Sequence, residues 1–295
     1  MSEIERILNA REKKKNKSYL SNFLNKFKDL IKKIFKNYYE FKKFKKKEFT
    51  FSGWGLATTD TQPPWLKFKN KENCIFKDIN DELLKLVLGE KFNLTQFQYH
   101  DTNYKKIFNE LLWRHYTVFN TVNFALKSNR NDEINLVECG VCDGLTIHYA
   151  LSLCKKNKLK FRGYLYDAWE ELKSSDENLR FDYSYLDIEK TKKNLKNFEH
   201  NLIYNKGFIP SVFSTAQNPD KINWLHIDLN STEATLSSLE FFYDKLVPNG
   251  IILFDDYGGF EKTGNSIDEF FSNKDGHFLN SPTGQGIFFK LKDSY

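Results

Sequence analysis

From residue 134 onward the chain alternates short apolar runs with helical stretches, and that rhythm predicts an α/β fold with a mostly parallel sheet and helices on both faces. Three observations carry the prediction. The strand candidates Ile134–Glu138, Phe161–Tyr166, Leu202–Tyr204, Ile222–Asp228 and Ile251–Asp255 are separated by helical stretches at Thr146–Lys155, Asp187–Phe198 and Thr232–Leu246. Two of the runs, Asn223-Trp-Leu-His-Ile-Asp228 and Ile251-Ile-Leu-Phe-Asp255-Asp256-Tyr257, end in carboxylates, with room between them for one helix and its turns. The chain closes on a helix near Ser266–Phe271 and two strands, His277–Leu279 and Gly286–Leu291, around Ser281-Pro-Thr-Gly284. That hairpin-like ending is unusual for a plain dinucleotide-binding sheet.

The elements before residue 134 read differently. Of the net charge of +6, residues 1–47 carry 16 Lys/Arg against 5 Asp/Glu, a net of +11, so the remainder holds 29 against 34, or −5. The basic character therefore belongs to an N-terminal segment. Residues 8–47 read as one helix. Leu20, Leu24, Phe27, Ile31, Ile34, Tyr38 and Phe41 alternate spacings of four and three, flanked by lysines. Such a stripe suits docking on the chain's own domain, a homodimer, or an anionic membrane surface. No base-reading motif supports nucleic acid. Residues 49–72, with Gly53, Gly55, Pro63 and Pro64, read as an irregular linker. Helical patterns follow near Asp81–Leu88 and Tyr104–Leu126, the latter carrying Ile107, Leu111, Tyr116 and Phe119. The expected division is a basic amphipathic extension (1–48), a linker and helical cap (49–128) and the sheet domain (129–295).

Four cysteines, at 74, 139, 142 and 154, do not make the dense framework of a secreted mini-domain. No signal peptide and no apolar run of about 18 residues is visible, so the expectation is cytoplasmic, with membrane contact at most peripheral.

Glu138-Cys-Gly140-Val-Cys-Asp143-Gly144 follows one strand and opens a helix. Glycines there permit a tight turn and let backbone N–H groups approach a ligand. The spacing is not G-x-G-x-x-G, which argues against a nicotinamide oxidoreductase. Acidic residues at 138 and 143 repel phosphate and suit a cationic amino group. An amino-acid end joined to an adenosine end describes S-adenosylmethionine. Asp167 ends the next strand, placed to accept ribose hydroxyls. Cys139-x-x-Cys142 has no second pair or His cluster to complete a zinc site.

In open parallel sheets ligands bind beyond the carboxyl ends of the strands. Asp228, Asp255 and Asp256 belong there. Three hard oxygen donors suit Mg²⁺ or another hard divalent cation. A cation can hold a substrate hydroxyl and lower its pKa, while one carboxylate takes the proton. The plainer reading is that these carboxylates cap helices or bind turn amides. Asn230-Ser-Thr-Glu233 resembles a capping box with Asn230 as the cap, although Asn230 also suits a metal or substrate contact. His226 shares a strand face with Asp228, as a packed residue or a support for the site. His148, inside a helix, reads as structural.

Together these residues resemble class I S-adenosylmethionine-dependent methyltransferases, and more narrowly the macrocin O-methyltransferase (TylF-like) family. The matching stretches are Val137-Glu-Cys-Gly-Val-Cys-Asp-Gly144, Tyr164-Leu-Tyr-Asp167, Lys206-Gly-Phe208, Leu225-His-Ile-Asp228 and Leu246-Val-Pro-Asn-Gly-Ile-Ile-Leu-Phe-Asp-Asp-Tyr-Gly258. The resemblance implies a Rossmann-like sheet of seven strands with an antiparallel last strand. It implies donor binding by Glu138, Gly140, Asp143, Gly144, Asp167, Gly207 and Phe208, and Mg²⁺ at Asp228, Asp255 and Asp256, with Asp228 as base. The acceptor it implies is a hydroxyl of a sugar, glycan or natural product. The family often has a second Asp and a Tyr shortly after the first metal Asp; here those places hold Asn230 and Thr232. A non-catalytic methyltransferase-like module recruited through the basic helix is the rival expectation.

Overall fold

The computed structural model describes residues 69–94, 104–128, 133–170 and 186–291. The chain divides into two units, Met1–Thr50 and Phe51–Tyr295, and every described residue belongs to the second. The basic helix expected over 8–47 and most of the linker expected over 49–72 lie outside the described residues.

In chain order the elements are α1 (Lys71–Leu88), α2 (Tyr104–Ser128), β1 (Ile134–Cys139), α3 (Leu145–Lys156), β2 (Phe161–Asp167), α4 (Ile188–Asn194), β3 (Leu202–Lys206), β4 (Ile222–Ile227), α5 (Thr232–Phe242), β5 (Leu246–Phe254), α6 (Glu261–Phe271), β6 (Gly276–Asn280) and β7 (Gly286–Lys290). The strands form one seven-stranded sheet in the order β3-β2-β1-β4-β5-β7-β6. Strands β1 to β5 pair in parallel, and β7 runs antiparallel to both neighbours. The expected parallel sheet and its antiparallel last strand are both present.

Strand β4 is buried at every position, as a central strand covered on both faces must be. Its alternate residues feed two separate cores. Trp224 joins Ile134, Leu136, Ile251 and Leu253 beneath α1, α2 and α3. Leu225 and Ile227 join Val137, Ile252 and Phe254 beneath α5 and α6. Because strand side chains alternate, this fixes where the terminal carboxylates point. Asp228 continues the Trp224–His226 face, and Asp255 continues the Ile251–Leu253 face.

Helix α1 begins at Lys71, ten residues before the expected Asp81. Asn70 caps it, accepting the Asn73 N–H at 2.8 Å. Its buried stripe is Phe76, Ile79, Leu83 and Val87, and full burial of each such side chain contributes about 1.5–3 kcal/mol. Helix α2 lies against β4 and β5, and the Trp224 indole N–H donates to Thr121 Oγ1 at 3.0 Å. Strand β5 starts five residues before the expected Ile251. Ile222 pairs with Leu246 and Trp224 with Ile251, so Val247-Pro-Asn-Gly250 forms a bulge rather than a break, with Asn249 at φ 60°. The helix expected over Asp187–Phe198 ends at Asn194 and continues as a 3-10 turn over Lys196–Asn201.

Candidate active site

The loop after β1 is shaped by its glycines. Gly140 has φ 86°, and a Cβ there would lie 1.7 Å from the Asp228 carbonyl oxygen. The loop thus packs directly on the end of β4, and only glycine permits that approach. Gly144 has φ 85° and sits at the N-terminus of α3, where a Cβ would come within 2.9 Å of Leu195. Asp143 is buried, and its Oδ1 accepts the Leu145 N–H at 3.1 Å.

Asp167 lies beside this loop and clasps it. Its Oδ2 accepts the N–H groups of Val141 at 2.7 Å and Cys142 at 2.8 Å, and its Oδ1 accepts that of Trp169 at 2.8 Å. Burial raises its pKa and these bonds oppose the rise. Two residues absent from the sequence reading complete the clasp. Thr191 donates to the Cys142 carbonyl at 2.6 Å, and the Trp169 indole N–H lies 3.0 Å from Thr191 Oγ1 and 3.2 Å from the same carbonyl. At the end of β3, the Gly207 N–H donates to the Asp167 carbonyl at 2.9 Å, and Phe208 is 45% exposed.

Cys139 and Cys142 are not brought together as ligands. Cys139 is buried in the core beneath α5, and burial pushes its thiol well above the usual range. Cys142 sits half-buried in the loop.

Glu138 and His226 are register partners on β1 and β4, each 1% exposed. His226 Nδ1 lies 2.9 Å from Glu138 Oε1. Burial, reinforced by Asp228, Asp167 and Asp143, raises Glu138 well above the carboxylate range. Burial, reinforced by Arg114, pushes His226 down to about 3. Two atoms of the pair, Glu138 Oε2 and His226 Nε2, are buried without a hydrogen-bond partner.

The carboxylates meet beyond this pair. His226, Asp228 and Asp255 each bring one potential ligand atom into a group whose members lie within 4.8 Å of one another. Asp255 Oδ1 accepts from Gln285 Nε2 at 3.0 Å and lies 3.9 Å from His226 Nε2. Its Oδ2 pairs with the Arg114 guanidinium, which reaches in from α2. Asp256 Oδ2 accepts the Asn230 N–H at 3.1 Å. Burial, and then the neighbouring Asp256, lift Asp228 to about 7 against the opposing pull of Arg114. Burial also raises Asp256, again against Arg114. Mutually repelling carboxylates around an unpartnered imidazole nitrogen make a donor set that could hold a divalent cation.

Asn230 is not the helix cap that its position suggests. Ser231 caps α5, accepting the Ala234 N–H at 3.3 Å, while Asn230 takes a left-handed turn at φ 50° that aims its N–H at Asp256. His148 is structural: it lies edge-on to Phe92 and Phe198 and contacts Ser152 Oγ at 3.2 Å. Arg114 was missed by the sequence reading, although a signal was available. It falls seven residues after Ile107 and four before Val118, on the apolar stripe of a helix that packs on the sheet.

Residues 137–257 match a family model described as a methyltransferase domain. Among solved structures, that of the O-methyltransferase NovP aligns with a TM-score of 0.58 at 14% identity, over 74% of this chain and 100% of that one. The calicheamicin methyltransferase CalS11 aligns with a TM-score of 0.50 at 14% identity, over 78% of this chain and 97% of that one. At such identity the likeness is one of fold. A search of curated proteins gives no match to this chain.

Proposed function

We propose that this chain, a class I S-adenosylmethionine-dependent methyltransferase, transfers a methyl group to a hydroxyl of a sugar, glycan or related natural-product acceptor, with the help of a divalent cation. The observation that carries the reading is the contact of Gly140 with the Asp228 carbonyl, which joins the donor loop to the carboxylate edge. A donor held in that loop presents its methyl group beside the residues that hold a hydroxyl.

The donor residues would be Glu138, Gly140, Asp143, Gly144, Asp167, Gly207 and Phe208. S-adenosylmethionine supplies a methyl group already activated on a sulfonium, so the protein's task is to place an oxygen in line with it. The Asp167 clasp holds the loop in shape for that task, and the open face of Phe208 suits the adenine. Mg²⁺ or a related ion would be held by Asp228, Asp255 and Asp256, and would supply positive charge that acidifies the acceptor hydroxyl. Asp228, at the end of β4 beside the donor loop, would take the hydroxyl proton. Arg114 supplies a fixed positive charge on the cap side.

The acceptor class rests on the macrocin-type motifs Leu225-His-Ile-Asp228 and Phe254-Asp-Asp-Tyr257, and on likeness to structures named as an O-methyltransferase and a calicheamicin methyltransferase. Residues 49–128 act in this reading as a cap that excludes water, and 129–295 as the catalytic domain. The basic segment 1–48 recruits a second copy or an anionic membrane surface, and the setting is cytoplasmic. No helix of the described residues is long and apolar enough to cross a membrane.

Methyl transfer from labelled donor to a panel of sugars and nucleotide sugars tests the reading, with Asp228→Asn as the comparison. Loss of the base and of one cation ligand predicts a fall in turnover of at least about 100-fold, with donor binding retained. Undiminished turnover by Asp228→Asn refutes the assigned role.

A further inference from the structure

The residues expected to hold a metal are three carboxylates, yet the potential ligand atoms that converge most closely include an imidazole. We propose that His226 supplies a nitrogen ligand to the cation site, so that the ion is held by a mixed set of His226 Nε2, Asp228 and Asp255, a set that suits a first-row transition ion such as Fe²⁺ and also admits Mn²⁺. The inference rests on the metal reading above and deepens it.

Three independent features point the same way. First, Nε2 of His226 is buried and has no hydrogen-bond partner, although the ring is 1% exposed and surrounded by polar groups. A buried polar nitrogen without a partner is destabilising, and a ligand at that atom removes the cost. Second, the ring is fixed from behind. His226 Nδ1 lies 2.9 Å from Glu138 Oε1, and in the tautomer that carries its proton on Nδ1 the Nε2 lone pair is free for a ligand. Metal-binding histidines characteristically donate their other ring N–H to a carboxylate or carbonyl, which fixes both orientation and tautomer. The ring also stacks on Trp224, with centroids 5.6 Å apart and planes at 17°. Trp224 is in turn held by its hydrogen bond to Thr121.

Third, the spacing suits a shared ion. The Nε2 to Asp255 Oδ1 distance of 3.9 Å is too long for a hydrogen bond and fits two ligands on one centre. The two oxygens of Asp255 divide their work: Oδ2 faces Arg114, while Oδ1 faces His226. Oδ1 also accepts from Gln285, as a carboxylate oxygen with two lone pairs can. Asp256, whose charge reaches Asp228, is not one of the three converging residues, and its Oδ2 receives the Asn230 N–H at 3.1 Å. An imidazole with two carboxylates favours a borderline transition ion, whereas an all-oxygen set favours Mg²⁺.

The test is electron paramagnetic resonance of Mn²⁺ titrated into the full chain, with pulsed measurement of nitrogen coupling. Natural-abundance protein is compared with protein labelled with ¹⁵N-histidine, and with His226→Gln and Asp228→Asn. The expected result is saturable Mn²⁺ whose nitrogen coupling changes on ¹⁵N-histidine labelling and disappears in His226→Gln. The same variant should bind Mn²⁺ at least about tenfold more weakly, and Asp228→Asn should weaken binding too. Should His226→Gln fail to fold, the isotope comparison on the native chain decides alone. Saturable Mn²⁺ without histidine coupling, or coupling that survives in His226→Gln, overturns the proposal and leaves the three-carboxylate site standing. Absence of saturable Mn²⁺ in the native chain overturns both.

Discussion

Asp228 is governed by unequal forces: burial is the largest, repulsion from Asp256 adds to it, and Arg114 opposes both. A divalent cation held beside it would oppose the resulting rise in its pKa, because positive charge favours the ionised carboxylate. His148, away from the site, shows burial acting nearly alone. Its pKa falls from 6.5 to about 4 because burial disfavours the charged ring, with a smaller push from Lys155. A depressed histidine contributes stability that is present above pH 6.5 and lost as pH falls toward 4, since the unfolded chain binds the extra proton. His148→Leu should therefore flatten the acid loss of stability in that window, by at most roughly 3 kcal/mol. Thermal unfolding at stepped pH measures it, and an unchanged acid profile contradicts the assignment. At this scale the sequence was legible where residues are neighbours in the chain. Gly140, Gly144, Asp228, Asp255 and Asp256 could be placed because strand ends and a loop–helix junction locate them. Arg114, Thr191 and Gln285 come from remote segments, and only tertiary packing brings them to the loop or to Asp255.

The strands and helices explain why those remote residues arrive. Thr121 of α2 is pinned to Trp224 of β4, and two helical turns back toward the N-terminus lies Arg114. Four residues along β4 from Trp224 lies Asp228, so helix and strand carry the cation and the carboxylates to the same edge. Arg114 and Asp255 have side chains 11% and 8% exposed, and breaking such a pair strands a buried charge. Arg114→Met should cost about 3–5 kcal/mol in urea unfolding. Adding Asp255→Asn should recover part of that loss, because the two sites are coupled. Strictly additive losses would mean that the pair is not a unit. Element identity was legible through periodicity, but several boundaries were not. Pro248, Asn249 and Gly250 are strand breakers by composition, yet they form a bulge within β5 because Leu246 pairs with Ile222. The first turns of α1 carry Lys71, Glu72 and Asn73, whose polarity hid a buried stripe that starts at Phe76.

For the molecule as a whole, charge is the feature the sheet does not explain. Residues 1–47 hold a net of +11 against −5 for the rest. If that segment recruits the enzyme to anionic lipid, the full chain should sediment with anionic vesicles and a protein lacking residues 1–48 should not, with the difference shrinking as salt rises. Equal sedimentation of the two removes the membrane role. The antiparallel seventh strand was legible because the chain ends in a hairpin pattern around Ser281–Gly284, and it separates this sheet from plain dinucleotide folds. The acceptor was not legible, since its identity depends on surfaces that periodicity and strand ends do not define.

In the proposed function the Glu138–Gly144 loop holds S-adenosylmethionine beside a cation site. Calorimetric titration of S-adenosylhomocysteine into the full chain, with and without Mg²⁺ or Mn²⁺ and with NAD⁺ as the comparison, tests it most directly. The account predicts saturable binding of S-adenosylhomocysteine at roughly micromolar affinity, about −8 kcal/mol, and no heat from NAD⁺. A folded protein that binds no S-adenosylhomocysteine would contradict it and leave a methyltransferase-shaped binding module in its place.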